Sequence, residues 1–426
     1  MRNPIYNMKV LIKHANIICS SSAHHGQVKD ILLHNGIIEK IADDITESAD
    51  QRIEQTGLHI SIGWMDLFSH FNDPGLEHRE TLVTGAKAAA SGGFTEVMIL
   101  PNTLPLISSK SVVEYICQKA AALPVNILPI GSLTKNAEGR ELTEMYDMHA
   151  SGAVAFSDGI HSVQSPGLLL KALQYVLPIE ACIIQIPDDK SIGGHGLMNE
   201  GIVSTQLGLP GKPAIAEEIM IARDIELLKY SKSRLHLTGV STRKGIELIC
   251  AAKKEGLQLT CSVSPAHLLF CDEDLNSYDS NLKLNPPLRT SDDRAALREA
   301  FQNGDIDCIA SHHLPQHWDD KTCEFEYAKY GSTSLETVFG VARLFKHNIN
   351  DLINMMTVAP RAIVGLPLPE IKEGVAACLT LFTPDEVFVF DEKNSKSASR
   401  NNAFAGQQLK GKVLGIINKN QISLNQ

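Results

Sequence analysis

The chain has 426 residues, 43% of them hydrophobic and 21% charged, a composition ordinary for globular material with an ample core. A net charge of -10 and a pI near 5.9 exclude a surface built for nucleic acid or an anionic membrane and leave a small, neutral or modestly charged partner. Nine scattered cysteines without a Cys-x-x-Cys pair read as reduced core residues. The start at residues 1–8 lacks a signal peptide, and no window of about 20 residues is apolar enough to span a bilayer, so a cytoplasmic protein is expected.

From Lys9 to about Ser61 the pattern is short and β-like, with Asn35-Gly36 as a hairpin turn between apolar runs. After Gly63 the rhythm changes. Residues 81–91 form an alanine-rich helix stopped by Gly92-Gly93, and the apolar strand 97–100 follows, ending at Pro101-Asn102-Thr103. Further strands are predicted at 126–131, 153–156, 181–186, 234–240, 258–263 and 307–310, with helices between most of them. The clearest helix runs from Pro213 to Tyr230 with Ile221, Ile225 and Leu228 on one stripe. This alternation implies an α/β protein with a parallel sheet closed into a TIM-like (β/α)8 barrel over residues 62–364. The text is β-like again after about Gly365, so residues 1–61 and 365–426 are expected to pair into a small β-sandwich domain. The polar run from Asp391 to Arg400 reads as a mobile loop. Functional side chains belong at the carboxyl ends of the barrel strands.

Several stretches resemble dihydroorotase of the amidohydrolase superfamily: Gly85 to Thr103, Met198 to Pro210, Asn285-Pro286-Pro287-Leu288-Arg289 and Ser334-Leu335-Glu336-Thr337. The resemblance covers essentially the whole chain. It implies a metal-dependent hydrolase barrel with one or two zinc ions, interconverting carbamoyl-aspartate and dihydroorotate in pyrimidine synthesis. In such chemistry zinc lowers the pKa of bound water from 15.7 to roughly 7 and polarises the carbonyl, while a carboxylate moves the proton.

Read against that family pattern, the metal positions are eroded. Phe68 stands where the first histidine of His-x-His belongs, with His70 kept; Asp158 remains of two aspartates after the third strand; Ile186 replaces a histidine; Gly239 replaces another; and His312 stands at the aspartate that would bind metal and act as base. A benzyl ring, an isoleucine and a glycine cannot ligate zinc. In the substrate shell, Asn102 and Asn285 match family positions, Asn72 replaces the arginine that grips the carboxylate, Gln316 replaces a histidine, and Tyr330-Gly331 occupies the lid-like Phe-Gly pair.

Bland readings stand beside these. Asp66 and His70 are expected to form a buried structural hydrogen bond at a strand end. Asp158 is read either as an orphaned ligand or as a loop-ordering carboxylate, and Asn102 and Asn285 either as substrate contacts or as turn-fixing residues. The cluster His312, His313 and His317 invites a new metal site, but adjacent strand residues point to opposite faces. Gly193-Gly194-His195-Gly196 lacks the context of a phosphate loop, and His24-His25 reads as solvated surface.

The leading expectation is a dihydroorotase-like protein without bound cofactor, catalytically degenerate and serving as structural or regulatory partner of aspartate carbamoyltransferase, as inactive relatives in the family do. An active dihydroorotase or related cyclic-amide hydrolase with an unusual zinc site, and a pyrimidine- or hydantoin-binding protein, are the alternatives. A homodimer is expected by analogy with barrels of this size.

Overall fold

The computed structural model describes residues 8–425, so most of the amino-terminal stretch read above for a signal peptide lies outside the described residues. Eight strands, Trp64–Ser69, Phe94–Ile99, Asn126–Gly131, Ala155–Phe156, Cys182–Gln185, Leu235–Thr238, Leu259–Val263 and Cys308–Ile309, pair in parallel in chain order. The two ends of the sheet meet. Ser69 bridges His313, and the His70 N–H donates to the His313 carbonyl at 2.8 Å. The expected barrel is therefore present; Asn126–Gly131 has the predicted bounds, Phe94–Ile99 begins earlier than predicted, and the later strands are shorter than the apolar runs that announced them.

Burial on both faces explains why these runs read as continuous apolar text: every residue of Trp64–Ser69 and Leu235–Thr238 is buried. Helices cover the outside. Leu82–Ser91 is opened by Thr81, whose hydroxyl accepts the Thr84 N–H, and Ile215–Ser231 buries the anticipated Ile221, Ile225 and Leu228.

Strands from both termini join in one mixed sheet of eight strands beside the barrel. The predicted hairpin joins Val28–His34 to Ile37–Ala42, with Asn35 and Gly36 at φ 52° and 75°. The two sequence segments meet where His59–Ile62 pairs antiparallel with the long strand Cys378–Val389.

One expectation is overturned. The run 391–400 is not a free loop, because its second half is a strap held across the barrel's carboxyl face. Ser395, Ser397 and Ser399 are buried in alternation with exposed Lys396, Ala398 and Arg400. Glu80, fully buried, accepts the Ser397 hydroxyl and the Ala398 N–H, and Glu336 accepts the Ser395 hydroxyl and the Lys396 N–H. Asn401 then donates to the Leu314 and Gly331 carbonyls and accepts the Gln316 N–H. Hydrophilic composition hid this because the partners are carboxylates and carbonyls rather than apolar groups.

Glu80→Ala should cost roughly 3 kcal/mol of stability, since it strands several buried donors at once. Urea unfolding measures that loss, and trypsin should then cut at Lys396 and Arg400, which the folded parent protects.

Candidate functional site

The carboxyl ends of the strands surround a cavity of about 40 Å³ lined by Phe68, Ile186, Asn285, His312 and Gly331 among the anticipated residues. Sites that enclose small ligands usually offer roughly 300–1,000 Å³. What narrows this one is the packing of Phe68, Gly239 and His312 against each other. The Phe68 ring lies 4.5 Å from the His312 ring, centroid to centroid. His312, at φ 50°, places its imidazole where a side chain at 239 would stand: a Cβ on Gly239 would come within 2.7 Å of His312 Cε1, and Gly239 is itself at φ +70°. Three of the anticipated ligand positions thus interlock as a phenyl ring, an imidazole and a bare backbone.

Beneath them runs a hydrogen-bond chain inside the barrel. His236 Nε2 lies 2.9 Å from Ser262 Oγ, Ser262 donates to Thr238 Oγ1 at 2.8 Å, and Thr238 Oγ1 lies 2.8 Å from His312 Nε2. The Thr238 hydroxyl thus ties His312 Nε2 into this chain of side-chain hydrogen bonds. His236 and Thr238 do share a face, as strand alternation required. Burial pushes the pKa of His312 and of His236 down to about 3. Both rings are therefore neutral at ordinary pH.

The remaining positions serve the loops. Asp158 accepts the Thr134 N–H at 2.8 Å, the Thr134 hydroxyl at 2.5 Å and the Ser132 hydroxyl at 3.2 Å, which is the loop-ordering role; burial raises its pKa despite these donors. Asn102 donates to the Asp158 carbonyl and accepts the Ile160 N–H, pinning the same loop. The expected Asp66–His70 bond is absent. Asp66 instead accepts the Ser311 N–H and the hydroxyls of Ser69 and Ser311, while His70 donates from Nε2 to the Asn102 carbonyl at 2.8 Å and leaves Nδ1 without a partner. Burial lowers the His70 pKa to about 4.

Asn72 is fully buried at φ 58°, and neither amide atom has a protein partner. Gln316 and Tyr330 turn away from the cavity: Gln316 Nε2 donates to the Tyr330 carbonyl at 2.7 Å, and the Tyr330 hydroxyl donates to the Gly196 carbonyl at 2.9 Å. His313 points outward, accepting the Ser334 N–H at Nδ1 and facing Glu80, while His317 packs beside His78 and Asp319. The three histidines do not converge.

Sequence reasoning missed Lys212, whose buried ammonium donates to Asp188 and Asn285, each at 2.7 Å. Nothing in Gly211-Lys212-Pro213 signals this, since the partners lie 24 and 73 residues away. It also missed Phe404, which enters the cavity from the strap. Glu217, another omission, is buried in Ile215–Ser231 and accepts the Ser241 and Thr242 N–H groups.

The donor set does not fit a zinc ion. Phe68, Ile186 and Gly239 offer no lone pair, Asp158 is engaged with Thr134 and Ser132, and His312 Nε2 is engaged with Thr238. Among the described residues no three His, Cys, Asp or Glu side chains are grouped to hold a metal.

The barrel and the mixed sheet beside it recur together in solved structures. L-hydantoinase from Arthrobacter aurescens superposes with a TM-score of 0.84 at 22% identity, covering 98% of this chain and 96% of that one. Dihydropyrimidinase from Brevibacillus agri NCHU1002 gives 0.79 at 18% identity, covering 98% and 95%. These likenesses concern the fold alone. The sequence profile of the family described as Dihydro-orotase-like matches residues 58–245. The dihydroorotase of Thermoanaerobacter sp. (strain X514) is 39% identical over 414 residues, 95% of each chain, and that of Caldanaerobacter subterraneus subsp. tengcongensis is 39% identical over 424 residues, 97% of each. The chain belongs to the dihydroorotase family.

Two outcomes test the site's construction. Gly239→Ala should destabilise by about 1–3 kcal/mol through overpacking, and combining it with His312→Ala should cost less than the sum of the two changes, because the clash is then gone. Strict additivity in thermal unfolding would show that the residues do not touch. Separately, His70, His236 and His267 have folded pKa values lowered to about 4, 3 and 4 from 6.5, with burial the leading cause. The unfolded chain therefore binds more protons below about pH 6.5, and stability should fall as pH drops from 6.5 towards 4, by on the order of 1 kcal/mol per pH unit per histidine. Urea midpoints across that range measure it.

Proposed function

We propose that this chain is a dihydroorotase-family barrel of pyrimidine biosynthesis that no longer hydrolyses a cyclic amide and acts as a structural or regulatory partner of aspartate carbamoyltransferase. The observation that carries the loss of hydrolysis is the interlock of Phe68, Gly239 and His312. Amide hydrolysis on this scaffold needs a metal-activated water and a carboxylate to take its proton. At the positions for both stand an aromatic pair and a neutral imidazole whose Nε2 is already hydrogen-bonded. Deprotonation of a water by a group whose pKa is about 3 is strongly unfavourable near neutrality. The cavity of about 40 Å³ agrees, being too small for dihydroorotate without rearrangement of Phe68, Ile186 or Phe404.

The partner rests on the family resemblance together with a scaffold that is kept in full. Relatives named dihydroorotase align over 95–97% of this chain, which supports a fold kept over its full length. A protein so preserved without its chemistry needs another role, and assembly with a neighbouring pathway enzyme uses the outer surface rather than the barrel mouth.

The purified chain, expressed with added zinc, should contain no stoichiometric transition metal and should turn over neither carbamoyl-aspartate nor dihydroorotate. It should also co-elute with the aspartate carbamoyltransferase of its own source in gel filtration. Turnover abolished by a chelator would establish the active-enzyme reading instead, and failure to co-elute would remove the partner while leaving the loss of hydrolysis standing.

A further inference from the structure

A line of polar side chains crosses the barrel interior, which elsewhere holds an apolar cluster including Met98, Leu100, Ile130, Ile184 and Ala310. It begins at the amino face. There Cys182 and Leu235, the first residues of their strands, share with Arg234, Asp307 and half-buried Thr260 the wall of an opening of about 400 Å³. The line ends at His312, which lines the mouth cavity on the carboxyl face. Between the two, Thr260 Oγ1 lies 2.9 Å from His236 Nδ1, His236 Nε2 lies 2.9 Å from Ser262 Oγ, Ser262 Oγ lies 2.8 Å from Thr238 Oγ1, and Thr238 Oγ1 lies 2.8 Å from His312 Nε2. Strand register keeps these groups in step, with His236 beside Thr260 and Thr238 beside Ser262.

Every group in this line has both a donor and an acceptor to offer. A hydroxyl gives one hydrogen and accepts through its lone pairs, and a neutral imidazole donates from one nitrogen while accepting at the other; both rings are neutral near pH 7. The line therefore has two self-consistent polarities. In the first, Thr260 donates to His236 Nδ1 and the direction is kept through Ser262 and Thr238, so that His312 accepts at Nε2 and carries its hydrogen on Nδ1. In the second every bond is reversed, His236 donates from Nδ1 to Thr260, and the Thr260 hydroxyl turns its hydrogen to the opening. A change of direction part-way leaves Ser262 or Thr238 one hydrogen bond short within the line, a cost that buried hydroxyls avoid. His312 Nδ1, which makes no hydrogen bond among the described residues, is thus an N–H in one state and a lone pair in the other.

We propose that this line is a proton relay joining the two faces of the barrel, in which the Thr260 end sets the polarity and His312 Nδ1 presents the result to the mouth. One reversal carries one proton across. Water in the amino-face opening gives a proton to Thr260, each group passes its own hydrogen one place along, and His312 releases its Nδ1 hydrogen to water in the mouth. Only O–H and N–H bonds form and break, and the five side chains hold the same number of hydrogens before and after. Buried groups that were satisfied one by one would need no agreement between the two imidazoles, whereas a relay requires it. The inference holds whether or not hydrolysis is lost.

Nuclear magnetic resonance of the full-length protein, labelled with nitrogen-15 in histidine alone, reads the tautomer of each ring near neutral pH, with His236→Asn and His312→Asn serving to assign the two signals. One of two patterns is expected: hydrogen on Nε2 of His236 with Nδ1 of His312, or on Nδ1 of His236 with Nε2 of His312. Thr260→Val, which removes the terminal hydroxyl with little change of shape, should alter the His312 tautomer ratio roughly twofold or more. In a Ser262→Ala background, where the line is cut, the same change should leave the His312 ratio unaltered. Hydrogen on the same-named nitrogen of both rings would overturn the proposal, and that measurement needs only the parent protein. So would a His312 ratio that Thr260→Val leaves unchanged, or an effect of Thr260→Val that survives Ser262→Ala, because the influence would then travel by another path.

Discussion

Closure of the barrel rests on one carboxylate. Asp66, fully buried on the first strand, accepts the Ser311 N–H at 2.6 Å, the Ser311 hydroxyl at 2.7 Å and the Ser69 hydroxyl at 2.6 Å, and so ties the last strand to the first. Burial raises its pKa, and the donors around it oppose that rise. Everything at the carboxyl face follows from where this bond puts Ser311. The next residue, His312, turns into the barrel at φ 50° and meets Phe68 and Thr238; the one after, His313, turns out and faces Glu80. Glu80 in turn holds the strap, and the strap delivers Phe404 back to the cavity. A single strand closure thus sets both the interior packing and the cover over it.

Phe68, Gly239 and His312 form one arrangement beside that closure. Glycine at 239 leaves the room that the His312 imidazole takes, and Phe68 supplies the face against which the imidazole lies. Thr238 and Ser262 then carry the hydrogen bonding that a buried imidazole requires, through to His236. Polar groups in the interior of a barrel must be satisfied somewhere, and here they satisfy one another. A histidine placed at position 68 alone would not complete a ligand set, because the side chains at 186 and 239 offer no donor to a metal.

The barrel was legible in the sequence because its evidence is distributed. Eight apolar runs with helices between them, and the Asn35-Gly36 turn, each signal locally what they become. That residues 68, 239 and 312 belong to one place at the strand ends was legible too, since each sits in a stretch that the resemblance picked out. What the sequence could not carry was pairing over distance. Asp66 lies four residues before His70 but bonds a serine 245 residues away, and the strap's serines look like solvated loop until Glu80 and Glu336 are placed under them. Lys212 and Asp188, Glu217 and Ser241 belong to the same class: short contacts between residues whose neighbours in the chain give no sign of them.

Distributed information is also what a chain shares when it is 39% identical to dihydroorotases over nearly its whole length. Fold stability draws on a core spread over every strand and helix, so selection for the fold acts on many positions. Zinc chemistry draws on a handful of side chains at strand ends, and each can change at little cost to the barrel if its neighbours repack. The packing of Phe68, Gly239 and His312 is local in that sense, confined to three positions at the strand ends.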